Sequence, residues 1–248
     1  MTGPGAAPGG ASGSRRDEIA AGLHAVRQRI AAACAAAGRS ASEITLIAVT
    51  KTRPASDVRL LSELGLTDVG ENRDQEARAK AEACAAAGLK LTWHFIGQLQ
   101  VNKAASVVSY ADVIHSVDRL RLVSALARHA RSAGRTISCL VQVSLDGPYA
   151  GGGRGGAASG DVPAIAAAIA GETGLDLGGV MAVAPLGRPP AAAFADLAQV
   201  SARLRQAYPN ATVISAGMSG DLAEAIMAGA THVRIGTALL GGRPAFVR

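Results

Sequence analysis

Apolar residues recur along this chain in two alternating rhythms: a helical spacing of three to four, and short runs that are apolar almost throughout. The first helix is expected from Arg16 to about Ala37, where Ile19, Leu23, Val26 and Ile30 share one face and Gly38 ends the pattern. A strand follows over 44–51, and a helix opening at Pro54 runs to Leu64 before Gly65. The beat then repeats. Further strands are expected over 66–71, 91–98, 112–117, 138–145, 179–184, 211–216 and 232–239. Helices separate them over 74–87, 102–110, 118–133, 161–173, 190–208 and 219–228. Strict strand–helix alternation requires a parallel sheet, and eight units close one into a (β/α)8 TIM-type barrel, here with an extra N-terminal helix. The other arrangement of such a pattern is an open doubly wound sheet. No Gly-x-Gly-x-x-Gly follows the first strand, so its dinucleotide-binding version is disfavoured.

Length and composition sharpen this only a little. The 248 residues suit one barrel or one doubly wound domain, expected over 16–248 behind a disordered tail of residues 1–15. Hydrophobic content of 49% with 3% aromatics makes an Ala, Val, Leu and Ile core. The net charge of +6 comes from arginines spread along the chain, and aromatics are scarce, which argues against a nucleic-acid-binding face. Cys34, Cys84 and Cys139 are odd in number and in no metal-ligand spacing, and read as small core residues in a reducing compartment. The first fourteen residues are mostly Gly, Ala, Pro and Ser without an apolar core, and no run reaches membrane-spanning length. A soluble cytoplasmic protein is expected. A glycine-rich stretch over 146–160 is expected to be a loop within the domain, because the strand–helix beat resumes after it.

The chemistry is expected at the end of the first strand. Seven β-favouring or apolar residues, from Ile44 to Thr50, lead into Lys51, one of only four lysines among 25 basic residues. A lysine, unlike an arginine, can be deprotonated and form imines with carbonyls. A strand-end lysine snorkelling to solvent is the plainer alternative. In a barrel, a phosphate site is often built by the loops after strands seven and eight. Here strand seven runs into Ser215-Ala216-Gly217-Met218-Ser219, and strand eight into Arg234-Ile235-Gly236-Thr237. Closure puts both turns beside Lys51, so a reactive amine meets an anion cradle. A phosphorylated aldehyde fits: pyridoxal 5′-phosphate, or a sugar-phosphate aldol substrate. Strand alternation puts His232, Arg234 and Gly236 on one face. Facing inward, Arg234 either meets an unprotonated pyridine nitrogen, because guanidinium only donates, or pairs with a carboxylate such as Glu71.

Five segments together resemble the pyridoxal phosphate homeostasis family, YggS/PROSC. They are Ala-Val-Thr-Lys-Thr-Arg-Pro at 48–54, Val-Gly-Glu-Asn-Arg-Asp-Gln-Glu at 69–76, and Trp-His-Phe-Ile-Gly-Gln-Leu-Gln-Val-Asn-Lys at 93–103. Ser-Ala-Gly-Met-Ser-Gly-Asp-Leu at 215–222 and Val-Arg-Ile-Gly-Thr-Ala-Leu-Leu-Gly at 233–241 complete them. The resemblance implies a barrel related to the N-terminal domain of alanine racemase, fold type III among pyridoxal phosphate (PLP) proteins, with PLP bound as an internal aldimine. It implies that Lys51 forms the aldimine and Arg234 faces the pyridine nitrogen. Ser215, Gly217, Gly236 and Thr237 would hold the phosphate, while Asn72, His94 and Met218 line the pocket. The chain departs from the family at the glycine-rich 146–160 stretch, at Gln98 and at Gly220.

The resemblance also implies a PLP carrier acting in cofactor homeostasis, with PLP-dependent apoenzymes as partners, rather than a strong catalyst. Alanine racemase takes an acid/base residue from a second, β-rich domain; the chain ends at Arg248, just past strand eight. Of Tyr110, Tyr149 and Tyr208, the first and third close helices at the far face of the barrel and the second lies in the glycine-rich loop, so none suits a two-base proton transfer. A monomer without a metal site is expected. The rival readings are an amino-acid racemase and a Schiff-base aldolase.

Overall fold

The structure is a computed structural model and describes residues 14–146 and 155–242. Eight parallel strands close into a barrel in sequence order: β1 (Thr45–Val49), β2 (Asp68–Glu71), β3 (Thr92–Phe95), β4 (Val113–Val117), β5 (Ile137–Gln142), β6 (Leu175–Met181), β7 (Val213–Ser215) and β8 (His232–Ile235). The helices α1 (Arg15–Ala36), α2 (Ala55–Glu63), α3 (Asp74–Ala86), α4 (Ala104–Tyr110), α5 (Leu120–Ser132), α6 (Val162–Ala170), α7 (Pro190–Ala207), α8 (Leu222–Met227) and α9 (Thr237–Leu240) surround them.

Period-two alternation sorts each strand into an outer and an inner set. Leu46 and Ala48 of β1 and Val233 and Ile235 of β8 pack outward against α1, whose Ile19, Leu23, Val26, Ile30 and Cys34 form one apolar stripe. Val69 and Trp93 turn outward to Val58, Ala81 and Cys84 of α2 and α3. Ile47, Leu140 and Met181 are fully buried yet belong to none of these outer clusters; with His94, His115, Ser215 and Arg234 they fill the lumen. Each large aliphatic side chain buried this way contributes about 1.5–3 kcal/mol. Cys34, Cys84 and Cys139 are all buried and free, and burial pushes the Cys139 thiol up to about 12.

The elements depart from expectation where glycine or a polar residue disguised a strand. β6 starts at Leu175, four residues before the expected start at Gly179. Asp176, Gly178 and Gly179 look like a turn, but a register shift between Cys139 and Leu140 accommodates them. Gly179 adopts φ +147, and a Cβ there would lie 2.0 Å from the Val213 carbonyl oxygen, so only glycine fits. β8 stops at Ile235 and gives way to the one-turn α9, whereas strand was expected through Leu239. α8 is six residues long, opening at Leu222 rather than Ser219. Of the glycine-rich stretch, 147–154 lie outside the described residues; Ala157 beyond them pairs with Val143 and donates to the Gln142 carbonyl. The tail expected over 1–15 lies outside the described residues up to residue 13; Ser14 caps α1, which already includes Arg15.

α1 covers the β1–β8 seam from outside, and Gly22 makes that approach possible: a Cβ there would sit 2.4 Å from the Leu239 carbonyl oxygen of α9. Because the obstacle is backbone, Gly22→Ala should destabilise the protein by about 1–3 kcal/mol through overpacking. A urea titration should show a lower midpoint at unchanged slope.

Candidate functional site

The site begins where β1 meets β8. Their register pairs Ile47 with Arg234 and Ala48 with Ile235. One step further, Gly236 lies against Val49, where a Cβ would come 3.3 Å from the Val49 carbonyl oxygen. Lys51 follows two residues later, exposed on the turn after β1, at the carboxyl-terminal mouth. The expected strand through Lys51 therefore ends at Val49, and the lysine sits on a turn.

That turn is clamped from the helix side of the sheet. Thr52 has φ +63, a left-handed conformation costly for a β-branched residue and typical of functional sites. Its N–H donates to Glu76 of α3. Buried Lys80, one helical turn on, donates to the Thr50 carbonyl at 2.8 Å, to Glu76 at 3.0 Å and to Glu71 at the end of β2. The Thr50 hydroxyl also donates to Glu71. Three polar atoms flanking Lys51 are thus tied to one buried charge cluster. Burial pushes the Glu71 carboxyl above its ordinary range, Lys80 pulls it the other way, and Oε2 of Glu71 has no hydrogen-bond partner. Arg53 adds a tie across the seam, donating to the Gly241 carbonyl at 2.6 Å.

Glu71 therefore faces α3 and is not the partner of Arg234, the pairing weighed from sequence. Arg234 points into the lumen, 5% exposed, and donates to the Ser215 hydroxyl at 2.7 Å and the Ala182 carbonyl at 2.9 Å. Burial pulls its pKa down to about 10, so it stays charged at neutral pH, with only the more distant field of Asp221 opposing the shift. Ser215, expected at the phosphate, is fully buried, and its hydroxyl bonds Arg234 and His115 (2.9 Å). His94 is a satisfied lumen histidine, bonded to His115 at 2.9 Å and to Asp68 at 3.0 Å.

The remaining candidates surround the mouth. Gly217, at φ +92, sits where a Cβ would lie 2.7 Å from Ala225 and 3.2 Å from the Leu222 backbone, and it accepts the Arg234 N–H. Met218 is half exposed, and its N–H donates to Asp221 at 2.6 Å, so one donor of this turn is already engaged. Ser219 and Gly220 complete the turn. Gly236 caps α9, and Thr237 stands exposed at its first position. Asn72 is exposed, with Gly97 pressed against its carbonyl, and lines a cleft of about 390 Å³ whose wall includes the outward-facing Phe95. Sequence reasoning missed Glu76, Lys80, His115 and Asp68. The spacing of Glu76 and Lys80 and the inward parity shared by His94 and His115 were the available signals. Among the described residues no group of three His, Cys, Asp or Glu could hold a metal ion.

Comparison with known proteins decides the family. The family model described as alanine racemase, N-terminal domain, matches residues 22–244. A pyridoxal phosphate homeostasis protein of Mycobacterium bovis is 44% identical over 243 residues, covering 92% of this chain and 94% of the relative. The chain belongs to the pyridoxal phosphate homeostasis proteins of the alanine racemase N-terminal domain family. The Escherichia coli K12 member is 37% identical over 92% of this chain and 97% of its own. PipY of Synechococcus elongatus, solved with PLP bound, superimposes with a TM-score of 0.77 at 35% identity, covering 90% of this chain and 100% of that one. An alanine racemase of Clostridium difficile, at 13% identity and a TM-score of 0.68, shares the barrel fold.

The lumen histidines give this family member a definite acid response. Burial, with like charge from His94, lowers the His232 pKa from 6.5 to about 4, and burial lowers that of fully buried His115 as well. A depressed folded-state pKa contributes stability that is complete above the unfolded value and is lost as pH falls through the folded one. Stability should therefore fall between about pH 6.5 and 4, His232 alone contributing on the order of 3 kcal/mol. Denaturant titrations across that range check this, and His232→Gln should flatten the acid limb.

Proposed function

We propose that the protein holds pyridoxal 5′-phosphate as a Schiff base on Lys51 and stores and delivers it to PLP-dependent apoenzymes. On this reading it is a cytoplasmic monomer without strong catalysis of its own. One observation carries the reading: the β1–β8 seam brings the Lys51 turn beside the Gly217 and Gly236 turns, with Arg234 beneath them in the lumen. The residues present fit the cofactor. Gly217 and Gly236 let the two turns pack tightly against α8 and β1 where a Cβ would crowd, and Arg234 is a buried donor with no carboxylate bonded to it.

Bound there, the cofactor supplies an aldehyde that an amine captures, and, in enzymes, an electron sink. Lys51 provides the amine on a turn held by Glu76 and Lys80. The backbone around Gly217 and Gly236, with the hydroxyls of Ser219 and Thr237, is the phosphate side; Asn72 and Met218 flank the mouth. Arg234 offers the ring nitrogen donors only, so that nitrogen stays unprotonated and the sink is weak. The family's naming for homeostasis rather than for a reaction supports the same view. So do the tyrosines: Tyr208 follows α7 at the face opposite Lys51, Tyr110 ends α4 and packs in the apolar layer outside the barrel, and Tyr149 lies outside the described residues. Among the described residues no helix is long and apolar enough to cross a membrane.

Purified protein mixed with pyridoxal 5′-phosphate should turn yellow, and borohydride should fix the adduct on Lys51. Lys51→Ala should lose both signals. A colourless wild type would favour the aldolase reading. Racemisation of alanine at ordinary enzyme rates, about 1–1000 per second, would favour the racemase.

A further inference from the structure

The groups behind Arg234 form an unbroken line across the barrel. Arg234 Nη1 lies 2.7 Å from Ser215 Oγ, Ser215 Oγ 2.9 Å from His115 Nδ1, His115 Nε2 2.9 Å from His94 Nδ1, and His94 Nε2 3.0 Å from Asp68 Oδ1. Arg234 stands near the carboxyl end of β8, and Asp68 opens β2 at the opposite mouth, where its side chain is 27% exposed. Ser215, His115 and His94 between them are buried to 2% exposure or less.

With both rings neutral, the Asp68 end fixes the hydrogens in the line. Guanidinium can only donate, so Ser215 Oγ accepts from it and keeps its own hydrogen available for His115 Nδ1. His115 then carries its hydrogen on Nε2 and donates to His94 Nδ1. His94 likewise carries its hydrogen on Nε2 and donates to Asp68, whose carboxylate can only accept. Both rings are neutral in this arrangement. A proton added to His94 Nδ1 would set two donors head to head between two buried rings. The downward displacement of His115 agrees with that, as does the neutral His232, whose ring centre lies 6.4 Å from that of His94 and which bonds Thr231.

We infer that Asp68 is a positioning residue for Arg234: from the far mouth of the barrel it orients the whole line and so holds the guanidinium as a fixed donor toward the cofactor ring. This rests on the proposed PLP site only in its last clause. The tautomers themselves are a property of the protein before any cofactor is added.

The test is nitrogen-15 NMR of histidine-labelled full-length protein at pH 7, with and without pyridoxal 5′-phosphate. His94 and His115 should both show hydrogen on Nε2 and none on Nδ1. Asp68→Asn keeps an acceptor oxygen and should preserve both tautomers and the visible band of the loaded protein. Asp68→Ala should mix the tautomers of His94 and shift that band. A doubly protonated ring or an Nδ1–H tautomer in the wild type overturns the inference even if no variant folds. Wild-type tautomers and an unshifted band in a folded Asp68→Ala protein overturn it equally. Failure to take up pyridoxal 5′-phosphate would instead strike the proposed function and leave the wild-type tautomer pattern to be judged alone.

Discussion

The hydrogen-bonded pairing of the first strand with the last is the constraint on which the rest of this molecule depends. It brings together residues almost two hundred positions apart and sets Ile47 directly beside Arg234. An eight-stranded barrel has an interior just wide enough for side chains to fill. Each inward position is therefore spent either on packing or on chemistry. Ile47, Leu140 and Met181 take the packing, while Gly70 faces Ile47, where a Cβ would come 2.9 Å from its methyl. Small residues on one strand make room for large or charged ones on the next. α1, laid over the outside of the seam, and Arg53, reaching across its top, hold shut the junction that no local contact could secure.

Two buried cations show how differently one sheet treats charge on its two faces. Lys80, between β2 and α3, is met by Glu71 and Glu76, so its charge is locally neutralised and its role is mechanical: it fixes the backbone that carries Lys51. Arg234, in the lumen, meets a carbonyl and a hydroxyl and no bonded carboxylate. A buried ion without a close counter-ion is expensive, and such a cost persists only where surrounding structure enforces it. The lumen enforces it through a file of oriented neutral dipoles ending in Asp68. The guanidinium keeps its field directed at whatever occupies the mouth.

Much of this was legible in the sequence, because it rests on periodicity. The alternation of strands and helices gave the barrel, and strand parity put His232 and Arg234 on one face, which the structure shows to be the inner one. Glycine-rich edges were harder to read. β6 was missed at its start because Asp176 and Gly178 mimic a turn, and only the bulge opposite Cys139 shows why they belong in a strand. Ser215 has bonds that the sequence did not foresee. Its place in a glycine-flanked turn suggests anion binding, but its last-residue position in β7 aims it at the lumen, a fact of register that spacing does not reveal. Glu71 was weighed as a lumen partner although its parity with Val69 already turns it outward.

The strained Thr52 shows why the lysine turn needs the cluster beneath it. A left-handed β-branched residue tends to relax, and relaxation would swing Lys51 away from the seam. The N–H that holds the strain is bonded to Glu76, and Glu76 is held by Lys80, which also grips Thr50 on the other side of the lysine. Strain and clamp are therefore one device: the turn after β1 keeps its tight geometry because α3 supplies the charges that hold its backbone on both sides of Lys51. A turn of relaxed geometry would need no such helix to hold it.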